Sequence, residues 1–207
     1  MNQCKMIIES QYFGCINFYA ALAQNKQCII EQHEYFLKMS FRNRCIVVGS
    51  NGLINLTVPI DGGRNNKQLM KDVKISYADN WQLQHWKTMV SSYAKAPFFE
   101  YYQLELETIL KRKHQFLLDL NMEILFWSLS ILKLKINVNF SDNYITQYAN
   151  PIIDNRNKWL PKNYTDNANE FIKYGQVFEE RLGFKKNVSI VDLIFSEGVN
   201  AVNKLFS

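Results

Sequence analysis

The hydrophobic positions of the first thirty residues predict a strand, a helix and a second strand. Lys5 to Glu9 is a short apolar run, Cys15 to Gln24 carries apolar residues at helical spacing, and Cys28 to Glu31 is apolar again. Runs of about five residues are typical of strands, whereas a repeat of three to four residues is typical of a helix. Because a helix joins the two strands, we expect them to pair in parallel.

The polar residues after these two strands are the first indication of a site. Ligands of open α/β sheets bind outside the carboxyl ends of the strands. We therefore expect the polar residues that follow the strands to converge, namely Ser10, Gln11 and Tyr12 with Glu31, Gln32 and His33.

A β-hairpin is predicted next. Arg42 to Val48 is rich in β-branched residues, Asn51-Gly52 is the strongest short hairpin signal, and Leu53 to Ile60 returns as the partner strand. The polar loop from Asp61 to Asn66 is interpreted as a surface connection or, alternatively, as a lid over the site.

The rest of the chain is mainly helical. Helices are predicted over Trp81–Ala94, Phe98–Lys113, His114–Lys135, Glu170–Leu182 and Ile190–Phe206, the last divided near Gly198, and short strands over Val73–Tyr77 and Ile136–Phe140. Ser141 to Asn169 lacks periodicity and is predicted to be irregular and mobile. The whole pattern predicts a single α/β domain of 207 residues, with a mixed β-sheet flanked by helices.

Charge and cysteine usage narrow the functional classes. The net charge of +5 is dispersed, which favours a solvated face or an anionic small molecule over nucleic acid. The four cysteines form no C-x-x-C pair and no metal-ligand spacing, so we expect reduced thiols and no metal site. The absence of a signal peptide and of an apolar run of about 18 residues predicts a cytoplasmic protein without a transmembrane segment. No cofactor can be named from the residues.

Two groups of polar residues near the predicted strand ends are candidates for chemistry. Glu31 is a candidate general base, or else the partner of Lys38 or Arg42 in a strand-end salt bridge. Arg42 and Arg44 would share one face of a strand and clamp a phosphate or carboxylate, with Asn43 on the opposite face; the alternative is an exposed strand face. Gln32, Tyr35 and Lys38 complete the groups.

A further candidate pair lies on the helix predicted from Trp81. His85 and Tyr93 are eight residues apart, so they lie two helical turns apart near one face. They would reach a cleft together as an acid/base and an orienting group, although a structural histidine is the alternative reading.

The sequence resembles the WbqC-like family of bacterial proteins. The matching segments share their order and spacing with that family and are Ile29–Gln32, Tyr35–Lys38, Phe41–Cys45, Leu56–Pro59, Trp81, His85-Trp86, Tyr93–Phe99, Tyr174 to Phe178 and Asn187–Phe195. The closest similarity is to the short version found in Bacteroidetes-type bacteria. Many members carry a Gln-Pro pair and a further Pro where this chain has Glu9-Ser10 and Gly14, a difference that bears on the substrate pocket.

The resemblance implies a role in surface-polysaccharide (O-antigen type) biosynthesis. The hypothesis is a transferase-like enzyme that acts on a nucleotide-linked or phosphorylated sugar. Arg42 and Arg44 would hold the anion, and Glu31 or His85 would move the proton. The predicted orienting and contacting residues are Gln11, Tyr12, Gln32, Tyr35, Lys38, Asn43 and Tyr93. The alternative is a non-catalytic protein of the same pathway that binds a sugar precursor or acts as a scaffold.

Overall fold

The first two strands form the centre of a parallel sheet. A computed structural model describes residues 5–62, 67–166 and 172–206. Its four-stranded sheet has the order β5-β2-β1-β6, with all pairs parallel. The strands are β1 (Lys5–Glu9), β2 (Gln27–Glu31), β5 (Asn137–Phe140) and β6 (Ile152–Asp154). The predicted parallel pair is confirmed, and its register sets Glu9 opposite Glu31.

A separate two-stranded sheet is the predicted hairpin. Strands β3 (Arg44–Gly49) and β4 (Gly52–Thr57) pair in antiparallel fashion. The tight turn is formed by Ser50 and Asn51, between the paired residues Gly49 and Gly52. Gly52 has a φ of 125°, a value that only glycine adopts readily. The prediction that the strand begins at Arg42 is wrong, because Arg42 lies in the turn before β3.

Helices cover the sheets. The described α-helices are α1 (Ile16–Ala23), α2 (Trp81–Tyr93), α3 (Phe99–Lys111), α4 (Leu117–Ile131), α5 (Glu179–Leu182), α6 (Ile190–Glu197) and α7 (Ala201–Leu205). Helix α4 buries side chains all round its axis, as its apolar sequence predicts. Helix α1, the crossover between β1 and β2, packs against α6 and α7. The α/β fold with a mixed set of strands is confirmed.

Two predicted elements differ in the structure. Residues 73–77 form no strand; they make isolated bridges, Ile60 to Ile75 and Lys74 to Phe116, with two different partners. In the C-terminal region, residues 172–178 are not helical, and the helix predicted there begins only at Glu179. The predicted break near Gly198 is confirmed by a 3₁₀ turn over Gly198–Asn200 between α6 and α7.

The irregular segment after β5 contributes to the sheet. It contains β6, which adds to β1, so the chain returns to the free edge of the first strand. The backbone N–H of Asn155 continues this contact by donating to the carbonyl of Ile7 at 2.9 Å. As a result, residues that follow β6 lie beside the carboxyl ends of β1 and β2.

Candidate functional site

Two buried acids mark the carboxyl ends of the central strands. Glu9 and Glu31 are 1% and 0% exposed. Glu9 accepts hydrogen bonds from the Gln11 side chain at 2.7 Å and from the backbone N–H of Asn157 at 2.8 Å. Glu31 accepts from the Ser141 hydroxyl at 2.6 Å and from the backbone N–H of His33 at 2.9 Å. The predicted convergence at the strand ends is therefore present, but the acids are already bonded.

Arg156 balances part of this acidic charge. Its guanidinium nitrogens lie 3.3 Å from a carboxylate oxygen of Glu31 and 2.6 Å from one of Asp154. The aromatic rings of Tyr144 and Tyr148 also pack against the guanidinium, each with its centroid 5.1 Å from Cζ. These bonds raise the pKa of Arg156 above its already high ordinary value. The salt-bridge partner of Glu31 is thus Arg156, rather than the Lys38 or Arg42 that the alternative reading predicted.

Arg42 has a different partner, Glu34. Arg42 Nε and Nη2 donate to the two carboxylate oxygens of Glu34 at 2.7 and 2.6 Å, and Nη2 also donates to Asn157 Oδ1 at 2.9 Å. Burial raises the pKa of Glu34 above its ordinary value, while the Arg42 hydrogen bonds and charge oppose that rise. Arg42 itself is fully buried, and its Nη1 has no hydrogen-bond partner among the described residues.

A pocket opens beside this ion pair. Its volume is about 480 Å³, and we call it the Arg42 pocket. Its lining combines two tyrosines with charged and apolar side chains: His33, Glu34, Tyr35, Leu37, Arg42, Leu69, Tyr144 and Asn157. Tyr35 and Tyr144 are 63% and 52% exposed, so their rings are available to a ligand. Arg42 is the buried cation of the lining and has an unused donor group.

The structure places His85 in the core. Its Nδ1 lies 2.8 Å from the Tyr12 hydroxyl, and both residues are buried. Burial lowers the pKa of His85 to about 4, although a hydrogen bond to the Thr57 backbone opposes the effect. A neutral ring that accepts from Tyr12 and donates to Thr57 has both nitrogens in use. The structural reading of His85 therefore fits this geometry better than proton transfer at a cleft.

Tyr93 belongs to a second buried network. Its hydroxyl donates to Asp192 at 3.0 Å, and Asp192 also accepts from Tyr174 at 2.6 Å and from Gln176 at 3.1 Å. Burial raises the pKa of Asp192 to about 6, against the lowering effect of these three donors. Tyr93 thus joins α2 to α6 and does not accompany His85 to a pocket.

The remaining predicted residues are divided between structural contacts and the surface. Asn43 donates to the Val58 carbonyl at 2.9 Å, and Gln32 donates to the Ser141 carbonyl at 2.8 Å. Arg44 is half-buried at the start of β3, with its Nε unpaired among the described residues, and Lys38 is exposed. Neither Arg44 nor Lys38 lines the Arg42 pocket. Substrate-binding roles for these residues remain predictions.

Several pocket residues were not predicted from sequence. Glu34 lies within the polar stretch after β2, but an acid there carried no signal that separated it from Glu31. Tyr144 and Asn157 come from the irregular segment, and Asn157 is 115 residues from its partner Arg42. No local signal places them, because their segment joins the sheet through the long-range pairing of β6 with β1.

The chain matches the model of a known protein family. A family model described as the WbqC-like protein family matches residues 9–156, which hold β2 to β6 and every lining residue of the Arg42 pocket except Asn157. The chain belongs to the WbqC-like protein family. The match covers more than two thirds of the chain and ends before the segment that leads to α5. No curated protein and no solved structure matches the chain significantly.

Three further classes of site concern the cysteines, the metal-ligating side chains and the helices of the described residues. Cys15, Cys28 and Cys45 are free and buried, and burial raises the pKa of the Cys15 and Cys28 thiols to about 12; Cys4 lies outside the described residues. In the same ranges, no cluster of histidine, cysteine and acidic side chains is arranged to hold a metal ion. None of the helices there is long and apolar enough to cross a membrane. Most of the predicted lid, residues 63–66, also lies outside the described residues.

Proposed function

We propose that this WbqC-like protein is a cytoplasmic group-transfer enzyme of surface-polysaccharide biosynthesis, which binds an activated or phosphorylated sugar in the Arg42 pocket. The observation that carries the proposal is that Arg42, a lining residue of an open pocket, has a buried Nη1 without a hydrogen-bond partner among the described residues. Family membership supports the pathway, and the pocket supports a small polar ligand.

The unpaired guanidinium nitrogen favours a ligand oxygen. A buried donor without a partner costs about 1–3 kcal/mol, so a ligand that supplies an acceptor removes this cost. Glu34 binds Nε and Nη2, which leaves Nη1 as the guanidinium donor without a partner among the described residues. A phosphate or carboxylate oxygen would form a charge-assisted bond there, and a sugar hydroxyl would form a weaker one.

The shape and lining of the pocket favour a sugar ring. Small-molecule sites usually span about 300–1,000 Å³ and combine aromatic walls with a few polar groups. The Arg42 pocket has a volume of about 480 Å³ and is bordered by the exposed rings of Tyr35 and Tyr144. An aromatic ring offers an apolar face for the C–H side of a sugar and a hydroxyl for its oxygens.

The charges near the pocket limit the kind of anion. Glu34 already neutralises Arg42, and Glu31 is paired with Arg156. A clamp made by two free arginines, as the sequence predicted, is not formed by Arg42 and Arg44. The arrangement therefore supports a ligand that presents one acidic oxygen to Arg42 and its sugar ring to the tyrosines.

A non-catalytic sugar-binding protein is the second candidate. The observation that favours it is that Glu31 and His85, the predicted proton-transfer residues, are both buried and bonded to protein groups. A protein that only binds its ligand needs the Arg42 pocket but no group that exchanges a proton with the ligand.

A thermal-shift screen against nucleotide sugars, sugar phosphates, nucleotides and acyl carriers tests the proposal. A ligand that binds only the folded state adds about 2.7 kcal/mol of stability at a hundredfold excess over Kd. We expect a shift with sugar-bearing compounds that is reduced in Tyr144→Ala and kept in Tyr101→Ala, a control that removes a ring 76% exposed on α3. The absence of any shift, or equal shifts in both variants, would contradict the proposed pocket.

The same ligands separate an enzyme from a binding protein. The protein is incubated with the shifted compound and a set of hydroxyl- and amine-bearing acceptor sugars, and the mixture is analysed by mass spectrometry. A protein-dependent product with the mass of the transferred group supports the enzyme. Binding without any product favours the second candidate.

A further inference from the structure

The bonds around Ser141 determine where its single hydroxyl hydrogen lies. Ser141 follows β5, and its Oγ is 2.6 Å from a carboxylate oxygen of Glu31. A carboxylate can only accept, so the hydroxyl hydrogen is donated to Glu31. The same Oγ accepts a hydrogen bond from the backbone N–H of Gln32 at 3.1 Å. One lone pair of Ser141 is left for a further donor.

The ring of His33 supplies that donor. His33 Nδ1 lies 3.4 Å from Ser141 Oγ, and since the hydroxyl hydrogen is already committed, Nδ1 must carry the hydrogen of this bond. In a neutral imidazole the other nitrogen, Nε2, then holds a free lone pair. Within the described ranges, no hydrogen bond is made to His33 Nε2, and His33 lines the Arg42 pocket.

The other two histidines of the chain lack this combination. His85 is buried, and its Nδ1 accepts from Tyr12. The ring of His114 lies 2.6 Å from the Glu123 carboxylate, away from the pocket lining. His33 is therefore the histidine that borders the Arg42 pocket with an available ring nitrogen. From the residues alone, His33 is a weaker candidate than Glu31, because histidines in exposed loops are common.

We infer that His33 is the catalytic residue that exchanges a proton with the ligand, and that Ser141 and Glu31 are positioning residues that hold its Nδ1–H tautomer. This inference rests on the proposed function. In the transfer step, an acceptor hydroxyl or amine forms a bond to the transferred group as its proton passes to Nε2. The bond between that group and its donor breaks, the leaving group keeps the electron pair, and the proton on Nε2 then passes to the leaving group or to water.

The tautomer of His33 tests the positioning chain without any ligand. Long-range ¹H–¹⁵N spectra of ¹⁵N-labelled protein, at a pH where imidazole is neutral, distinguish the two ring nitrogens, and His33→Gln assigns the signal. We expect the Nδ1–H form in the wild type, a shift towards the Nε2–H form in Ser141→Ala, and recovery in Ser141→Thr. Ser130→Ala, which removes an exposed hydroxyl on α4, is the matched control. An Nε2–H tautomer in the wild type, or an unchanged tautomer in Ser141→Ala, would overturn the inference.

Ligand contact tests the catalytic assignment. UDP-glucose is titrated into the labelled protein, with Tyr101→Ala as a binding-competent control and His33→Gln as the test variant. We expect the chemical shifts of the His33 ring to change when the ligand binds. We also expect His33→Gln to bind the ligand but to transfer the group at least tenfold more slowly than wild type. Binding that leaves the His33 signals unmoved, or full transfer by His33→Gln, overturns the inference while the proposed function stands. If no sugar compound in the wider screen binds, the proposed function is wrong. The catalytic role of His33 is then wrong as well, even if its tautomer is the expected one.

Discussion

Arg42 and Glu34 form a buried two-point ion pair, with Nε and Nη2 of the arginine 2.7 and 2.6 Å from the two carboxylate oxygens. Both side chains are buried, and Asn157 supplies a third bond to Arg42 at 2.9 Å. It joins the stretch after β2 to the segment that follows β6. The same geometry leaves Nη1 of Arg42 without a partner among the described residues.

Removing one charge of this pair is expected to destabilise the fold strongly. Glu34→Gln leaves the Arg42 charge buried without its counter-ion, which costs about 3–5 kcal/mol. Glu107→Gln is the matched control, because its ion pair with Lys111 is exposed and such pairs contribute about 0.3–0.5 kcal/mol. Urea unfolding measures both losses. Similar losses in the two variants would show that the buried pair is not formed.

The buried His85 predicts a loss of stability in acid. Its folded pKa of about 4 is below the ordinary value of 6.5, so the unfolded chain binds the proton first as the pH falls. Neutral His85 makes its full contribution to the free energy of unfolding above pH 6.5. Roughly 3 kcal/mol of that contribution is lost as the pH falls towards 4. The difference in unfolding free energy between wild type and His85→Gln should shrink over this range. A pH-independent difference would contradict the buried neutral ring.

Asp192 predicts the opposite trend over nearly the same range. Its folded pKa of about 6 exceeds the ordinary value of 3.8, so the folded protein holds the proton more tightly. The stability of wild type relative to Asp192→Asn should therefore fall by roughly 3 kcal/mol as the pH rises from 3.8 to 6. Unfolding of the two proteins across this range checks the sign. A relative stability that rises with pH would mean that the three donors outweigh burial.

Gly198 should tolerate no side chain. Its φ is 57°, and a Cβ atom at this position would lie 2.5 Å from Cδ1 of Phe98. Gly183 has a similar φ of 68° with open space around it, so Gly183→Ala shows the backbone cost alone, about 1–3 kcal/mol. Gly198→Ala should cost more than Gly183→Ala in chemical unfolding. Gly175→Ala, with no atom within 4 Å, should stay within about 0.5 kcal/mol of wild type.

Local signals predicted the elements, and long-range contacts determined the site. The apolar runs at β1 and β2, the intervening helix and the Asn51-Gly52 turn all depend on neighbouring residues, and these were predicted correctly. The pairing of β6 with β1 brings Asn157 next to Glu9, although the two residues are 148 positions apart in the sequence. No local sequence pattern predicts such a pairing. The predicted strand at residues 73–77 failed for a related reason, since its bridges go to two different partners.

The same distinction explains the candidate site. The convergence of polar residues after β1 and β2 was predictable, because parallel strands end at one edge. Whether each polar side chain faces a ligand or another side chain was not, because that depends on residues far away in the chain. Glu31 is paired with Arg156, and the Glu34 carboxylate binds two nitrogens of Arg42, which leaves Arg42 Nη1 without a partner among the described residues.

A ¹⁵N chemical-shift titration with the nucleotide sugar that gives the largest thermal shift tests the central claim most directly, because it locates the ligand. The account predicts that the largest changes fall on residues of the Arg42 pocket, at His33, Tyr35, Leu69, Tyr144 and Asn157. A second, more apolar pocket lies between α3 and α4, and includes Leu104, Phe126 and Trp127. Changes confined to that second pocket, or no changes at saturating ligand, would contradict the claim that the Arg42 pocket binds a sugar.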